Sequence, residues 1–131
     1  MNCPVCDEPM IVLDYDDVEI DYCVSCGGVW LDAGELELLF GEPEACDAFL
    51  RAGGTAPAGV EKPRRCPICR KKMGKALTGG EPPVIYDRCD RGDGLWLDRG
   101  ELATVLGHGR KPDGGQRVTD FLREIFPENK T

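Results

Sequence analysis

Two pairs of short β-prone runs punctuate the chain. MIVLDY (10–15) and VEIDYC (18–23) are separated by Asp16-Asp17, and KKMGKAL (71–77) and VIYDRC (84–89) by the longer TGGEPP. Short β-branched and aromatic runs broken by turn-forming residues predict a β-hairpin in each place. After each hairpin the apolar period becomes helical: Leu36, Leu39 and Phe40 in one case, Leu102, Val105 and Leu106 in the other. Both helical runs open on Leu-Asp-x-Gly-Glu-Leu. Asp32 and Asp98 stand where an N-cap would, with Glu35 and Glu101 three residues on, the spacing of a capping box. EPEACDAFLRA (42–52) predicts a further short helix. VTDFLREIF (118–126) predicts an amphipathic one, with Val118, Phe121, Leu122, Ile125 and Phe126 on one face and Pro127 as its stop.

These elements recur. Cys3-Pro-Val-Cys6 matches Cys66-Pro-Ile-Cys69 at an offset of 63, and Cys23, Trp30, Asp32 and Glu35 match Cys89, Trp96, Asp98 and Glu101 at 66. The division that follows is residues 1–52 as a first unit, 53–65 as a Gly-, Ala- and Pro-rich linker, 66–109 as a second unit, and 110–131 as a Gly-rich stretch with the C-terminal helix. Two ribbons have little core to receive that helix. It either covers the sheet of the second copy or docks on another chain.

Units this small bury too little apolar surface to be comfortable alone. Eight cysteines in 131 residues can supply a staple. MNCPVCDEPM carries no basic region followed by an apolar stretch, and no run approaches the ~20 apolar residues of a membrane span. A reducing cytoplasm is the expectation, and it favours zinc over disulfides.

Charge is divided unevenly. Residues 1–50 hold 13 acids and no Lys or Arg, whereas residues 51–131 carry +5 within a net charge of −8. The acidic part argues against the whole chain binding nucleic acid and toward a protein partner, or toward contact between the halves. RRCPICRKKMGK (64–75) leaves room for nucleic-acid contact through the second copy, beside the plainer reading of a solvated basic rim.

The first copy reads C-x2-C-x16-C-x2-C. Each C-x2-C turn brings two thiolates to one metal, and the hairpin sets two turns face to face. Cys3, Cys6, Cys23 and Cys26 then complete a closed tetrahedral zinc site. The second offers Cys66, Cys69 and Cys89, but Gly92 stands at the position of Cys26. Asp93, His108 and Cys46 are candidates for the fourth ligand, as is a water. Trp30 and Trp96 are expected to pack on the knuckles, and Gly27, Gly28 and Gly94 to allow turns close to sulfur.

CPVC…DYCVSCGGVWLDAGELE resembles the zinc-ribbon family named for transcription factor IIB, in which C-P-x-C is followed by C-x2-C-G-G-x-W-L-D-x-G-E-L. The second copy resembles a variant of bacterial relatives in which a histidine before Gly-Leu-Trp replaces the last cysteine. Aligned from Trp96, that histidine falls on Asp93. The resemblance spans residues 3–40 and 66–106. It implies two zinc ions, the second on Cys66, Cys69, Cys89 and Asp93, and it implies a role connected with transcription. The fold expected is a small metal-stabilised α+β protein of two zinc ribbons, each a hairpin plus a short helix, on a linker. With no nucleophile, general base or cofactor motif, the reading is a non-enzymatic interaction module for a protein or a protein–nucleic-acid assembly. Two competitors stand beside it: a metal or redox sensor switching at the second site, and a zinc hydrolase at an open three-cysteine site.

Overall fold

The structure, a computed structural model, describes residues 1–59, 61–111 and 113–126. Its strands are β1 (Ile11–Tyr15), β2 (Val18–Tyr22), β3 (Val29–Asp32), β4 (Gly74–Leu77), β5 (Ile85–Arg88) and β6 (Gly94–Leu97). Its helices are α1 (Glu35–Phe40), α2 (Pro43–Arg51), α3 (Glu101–Leu106) and α4 (Gly114–Ile125). Both expected hairpins form. In the first, Asp16 and Asp17 adopt φ of 49° and 63°. Two successive left-handed residues make the turn whose twist suits a two-residue hairpin loop, and aspartate tolerates that conformation. The expected stop at Pro127 lies outside the described residues.

The two halves do not stand apart. VWLD and GLWL each add a third strand, and these two strands pair antiparallel to join everything into one sheet of order β1-β2-β3-β6-β5-β4. This corrects the expectation of two ribbons on a linker. The register sets Trp30 opposite Trp96, Val29 opposite Leu97 and Leu31 opposite Leu95. Trp30 thus faces its own counterpart Trp96, and an approximate two-fold axis at that pair exchanges Val29–Leu97 with Leu95–Leu31.

Strand alternation then sorts the core into two layers. Val18, Ile20, Tyr22, Val29, Leu31 and Leu97 point to the helical face, where Leu36, Phe40, Leu102, Val105 and Leu106 cover them. Trp30 and Trp96 point to the opposite face, among the cysteines and Met73. Both indoles are 0 % exposed.

The helices cross over. On α2, which follows the first half in sequence, Leu50 accepts a hydrogen bond through its carbonyl from the Tyr86 hydroxyl of β5 at 2.7 Å. On α4, which follows the second half, Phe121 lies on Tyr15 with centroids 4.8 Å apart. Just beyond α4, Phe126 stacks on Tyr22 at 4.9 Å. Val118 is buried in the cluster that also holds Leu102, Val105 and Val29, where α4 packs along α3. The tail thus packs within its own chain, along α3 of the second half and with Phe121 and Phe126 on the aromatic residues of the first hairpin, not on the sheet of the second. That hairpin presents the larger aromatic surface.

Candidate metal centres

Each centre lies where a knuckle before a hairpin meets a knuckle after it. In the first, Val5 and Cys6 direct backbone N–H groups at Cys3 Sγ, both at 3.3 Å, and Asp7 closes the turn with φ 58° and a bond to the Cys3 carbonyl. In the second, Ile68 and Cys69 donate to Cys66 Sγ at 3.4 and 3.5 Å, and Arg70 closes the turn with φ 67°. Backbone N–H groups aimed at sulfur favour the thiolate form that metals require.

Cys3, Cys6, Cys23 and Cys26 come together with all four sulfurs within 4.8 Å of one another, and so do the donor atoms of Cys66, Cys69, Cys89 and Asp93. The spacings suit zinc. A tetrahedron with Zn–S of ~2.3 Å has S···S edges of ~3.8 Å, and a carboxylate ligand at ~2.0 Å makes S···O edges of ~3.5 Å. Cys3 Sγ lies 3.7 Å from Cys26 Sγ, and Cys69 Sγ 3.7 Å from Cys89 Sγ. Asp93 Oδ2 lies 3.5 Å from Cys66 Sγ and 3.4 Å from Cys89 Sγ. All eight cysteines are free of disulfides. As free thiols, burial pushes Cys66 up to about 12 against the pull of its two backbone N–H donors, and burial together with the neighbouring Cys26 and Cys23 pushes Cys6 up to about 11. A divalent cation is the charge that would hold such groups as thiolates. The donors fit zinc, and four of them leave no open position.

The loop explains why the ligand is residue 93 and not 92. From Cys23 the chain turns through Gly27, at φ 77°, and closes with Cys23 N–H on the Gly28 carbonyl at 3.0 Å. From Cys89 the left-handed residue comes one step earlier, at Gly92 with φ 82°, and the loop closes at the same length on Gly94 at 3.0 Å. The aspartate therefore approaches the site from one residue later in a loop of equal span. Among the described residues, the other two candidates stand elsewhere. His108 stacks on Phe49 at 4.8 Å, and Cys46 is buried in the helical core, where burial pushes its thiol up to about 12.

The tryptophans lock the two centres together. A Cβ on Gly28 would run into the Trp96 ring, and one on Gly94 would stand 2.7 Å from the Trp30 ring. Each glycine thus makes room for the other half's indole. To their place in the turns that close the cysteine loops, Gly28 and Gly94 add a packing role. Asp32 and Asp98 are reassigned. Neither caps its helix, whose N-cap positions are Gly34 and Gly100. Instead Trp30 Nε1 donates to Asp32 at 2.8 Å and Trp96 Nε1 to Asp98 at 3.0 Å. The glutamates do reach back as expected, accepting the N–H of Asp32 and of Asp98, each at 2.7 Å.

Part of the basic run is consumed internally. Arg64 binds both oxygens of Asp98 at 2.8 and 2.9 Å and lies 3.4 Å from Asp87, while Lys75 bonds Asp87 at 2.6 Å and Glu61 at 3.1 Å. Asp87 is 1 % exposed and the two cations flank it. Burial raises its carboxyl against the opposing pull of Lys75 and Arg64.

Among the described residues, no helix is long and apolar enough to cross a membrane. Comparison with curated proteins and with solved structures yields no match. Residues 2–40 match the family described as transcription factor zinc-finger, over the stretch that holds the four-cysteine cluster.

Proposed function

We propose that the chain is a zinc-binding, non-enzymatic interaction module made of two tandem zinc ribbons of the transcription factor IIB type. It carries two zinc ions, one on Cys3, Cys6, Cys23 and Cys26 and one on Cys66, Cys69, Cys89 and Asp93. The observation that supports this most is the closure of both clusters. Each gathers four donors at tetrahedral spacing, so a bound ion would hold the fold and offer no position to a substrate. The family match over residues 2–40 points the same way. A protein partner in the cytoplasm, with a transcription-related role, is the setting that this reading adopts. Nucleic-acid contact would fall to the exposed bases Arg65, Arg70, Lys71 and Lys72.

Metal analysis of purified protein tests the reading. Two zinc ions per chain are expected. One ion, or a different metal retained under zinc-replete expression, would overturn the assignment of the second site. Asp93→Ala should lower zinc affinity there and leave the first site loaded, whereas Asp93→His should restore it.

The second reading, a metal- or redox-responsive sensor, draws on one observation: the second cluster has a carboxylate where the first has a thiolate. Three thiolates hold zinc less tightly than four. If the second site alone releases zinc under mild oxidant, with loss of partner binding, the sensor reading replaces the structural one.

A further inference from the structure

The two outer edges of the sheet differ in what covers them. Beside β4 runs the segment after α2. Ala56 N–H donates to the Lys75 carbonyl, and Leu77 exchanges bonds with Gly53 and Gly54, at 2.8–3.1 Å. Thr55 forms a bridge with Ala76. Farther along, the same segment reaches over the sheet and places Glu61 and Arg64 among Lys75, Asp87 and Asp98. One stretch of chain thus does two things there: it completes the edge and neutralises buried carboxylates.

At the other edge the corresponding positions are Val12 and Asp14, 63 residues before Lys75 and Leu77. Among the described residues, no backbone group pairs with the outward side of β1. Ile11 and Val12 are 40 % and 59 % exposed there. Val12 sits opposite Asp21 and Asp14 opposite Glu19, so these side chains share one face. Asp21 corresponds to Asp87 and Asp32 to Asp98. Yet no lysine or arginine of the described residues lies within ion-pair distance of Asp14, Glu19, Asp21, Asp32 or Glu35.

We propose that the outer edge of β1, with Asp14, Glu19 and Asp21 beside it, is the docking site for an extended basic segment of a protein partner, which joins the sheet as a strand next to β1. The proposal rests on the reading of the chain as an interaction module and names the surface and the chemistry of its partner. An unpaired edge offers main-chain hydrogen bonds to any extended segment, and the side chains beside it choose which one. Here the choice is for lysine or arginine. In the second half the counterparts of Asp21 and Asp32, Asp87 and Asp98, hold Lys75 and Arg64; Asp14 and Glu19, where the second half has Leu77 and Ile85, add negative charge found only at this edge. A second copy of this chain is disfavoured, because pairing β1 with β1 would bring Asp14, Glu19 and Asp21 against their like.

The test uses the full-length, zinc-loaded protein and a short amidated peptide in which valine alternates with lysine. Its glutamate analogue serves as control. The expected result is that the lysine peptide shifts the Val12 and Asp14 amide signals in an NMR titration and protects them from hydrogen exchange, and that the glutamate analogue does not bind. Asp21→Lys should weaken the lysine peptide about tenfold, as should Asp14→Lys, since each replaces an attraction with a repulsion. Val12→Pro removes an outward N–H at an edge position where proline is tolerated, and it should abolish the protection. Should that variant unfold, Val12→Lys decides. It supplies the first half with the counterpart of Lys75, and binding should fall while two zinc ions stay bound. Equal binding of both peptides, signal changes confined to β4 or the knuckles, or affinities unmoved by these substitutions would overturn the proposal. So would a concentration-dependent dimer closed through β1, or an oligonucleotide that displaces the peptide from it. Failure to bind with two zinc ions retained sinks this surface and leaves the module reading standing; failure to retain zinc sinks the reading itself.

Discussion

Asp21 and Asp87 occupy equivalent strands, face the same side of the sheet and sit opposite equivalent tryptophans. Asp87 is buried between Lys75 and Arg64; Asp21 is half-buried, and Val12 stands where its lysine would be. The second half is closed on itself, its carboxylates neutralised from within and its outer strand covered. The first half keeps the same carboxylates and the same edge open to solvent. A uniform fold therefore carries two different surfaces, and the difference resides in a few side chains and one connecting segment.

Metal ligation should give the largest effect. Cys26→Ser should cost the first site its ion, and structural zinc contributes on the order of 10 kcal/mol in small fingers. Because Trp30 rests on Gly94 and Trp96 on Gly28, the loss should spread. Native dispersion should fade in the NMR signals of both halves, in one transition. If the second half keeps its spectrum and its zinc, the halves are independent after all.

Next is the buried ion network. Lys75→Val copies the first half's arrangement into the second and leaves Asp87 without its closest cation, a loss of about 3–5 kcal/mol for a broken buried pair. Denaturant titration would measure it. A cost below about 1 kcal/mol would mean that Arg64 alone satisfies Asp87, and the contrast between the halves would shrink.

Gly28→Ala probes the junction. The added methyl meets the Trp96 ring, and overpacking of this kind costs about 1–3 kcal/mol. The check is whether thermal unfolding shifts together with the fluorescence of both tryptophans. An unchanged melting temperature would show that the sheet tolerates a gap at its centre.

The smallest expected effect concerns pH. Burial, offset by the Asp98 N–H, pushes the Glu101 carboxyl up from 4.5 to about 7. A carboxyl with a raised folded value keeps its proton longer in the native state than in the unfolded one. Its contribution is therefore present at low pH and declines between about pH 4.5 and pH 7. Glu101→Gln should flatten that decline: the shift corresponds to about 3 kcal/mol at most, and solvent screening of the partly exposed carboxyl brings the expected effect to about 1–2 kcal/mol. Stability followed through that window in both proteins decides it. Equal slopes would place the titration elsewhere.

Much of the candidate site was legible because it is local. A C-x2-C turn, a hairpin and a helical run are each set by neighbours a few residues apart, so ligand spacing and element type follow from the residues themselves. Asp93 was reachable through the family resemblance, whose histidine before Gly-Leu-Trp falls on it when aligned from Trp96, whereas the internal repeat alone sets Gly92 opposite Cys26. The third strands were not. VWLD and GLWL are too short to show a period, and they followed cysteine knuckles that already accounted for their tryptophan. The packing role of the glycines stayed hidden for a related reason: beside a knuckle, Gly28 reads as a turn, and nothing nearby reveals an indole arriving from 68 residues away.

The sequence by itself determined the donors, their spacing, the two hairpins, the helical faces and the uneven charge, all properties that a short segment carries with it. Only the tertiary structure decided that β3 pairs with β6, that α2 and α4 each pack on their own half's helix and reach across to the other half, and that Arg64 and Lys75 turn inward. Edge strands and apolar helix faces accept any partner of suitable shape. Which one they meet is settled by the joint burial of Trp30, Trp96, Tyr15, Tyr22 and Val118, a free energy shared by residues far apart in the chain.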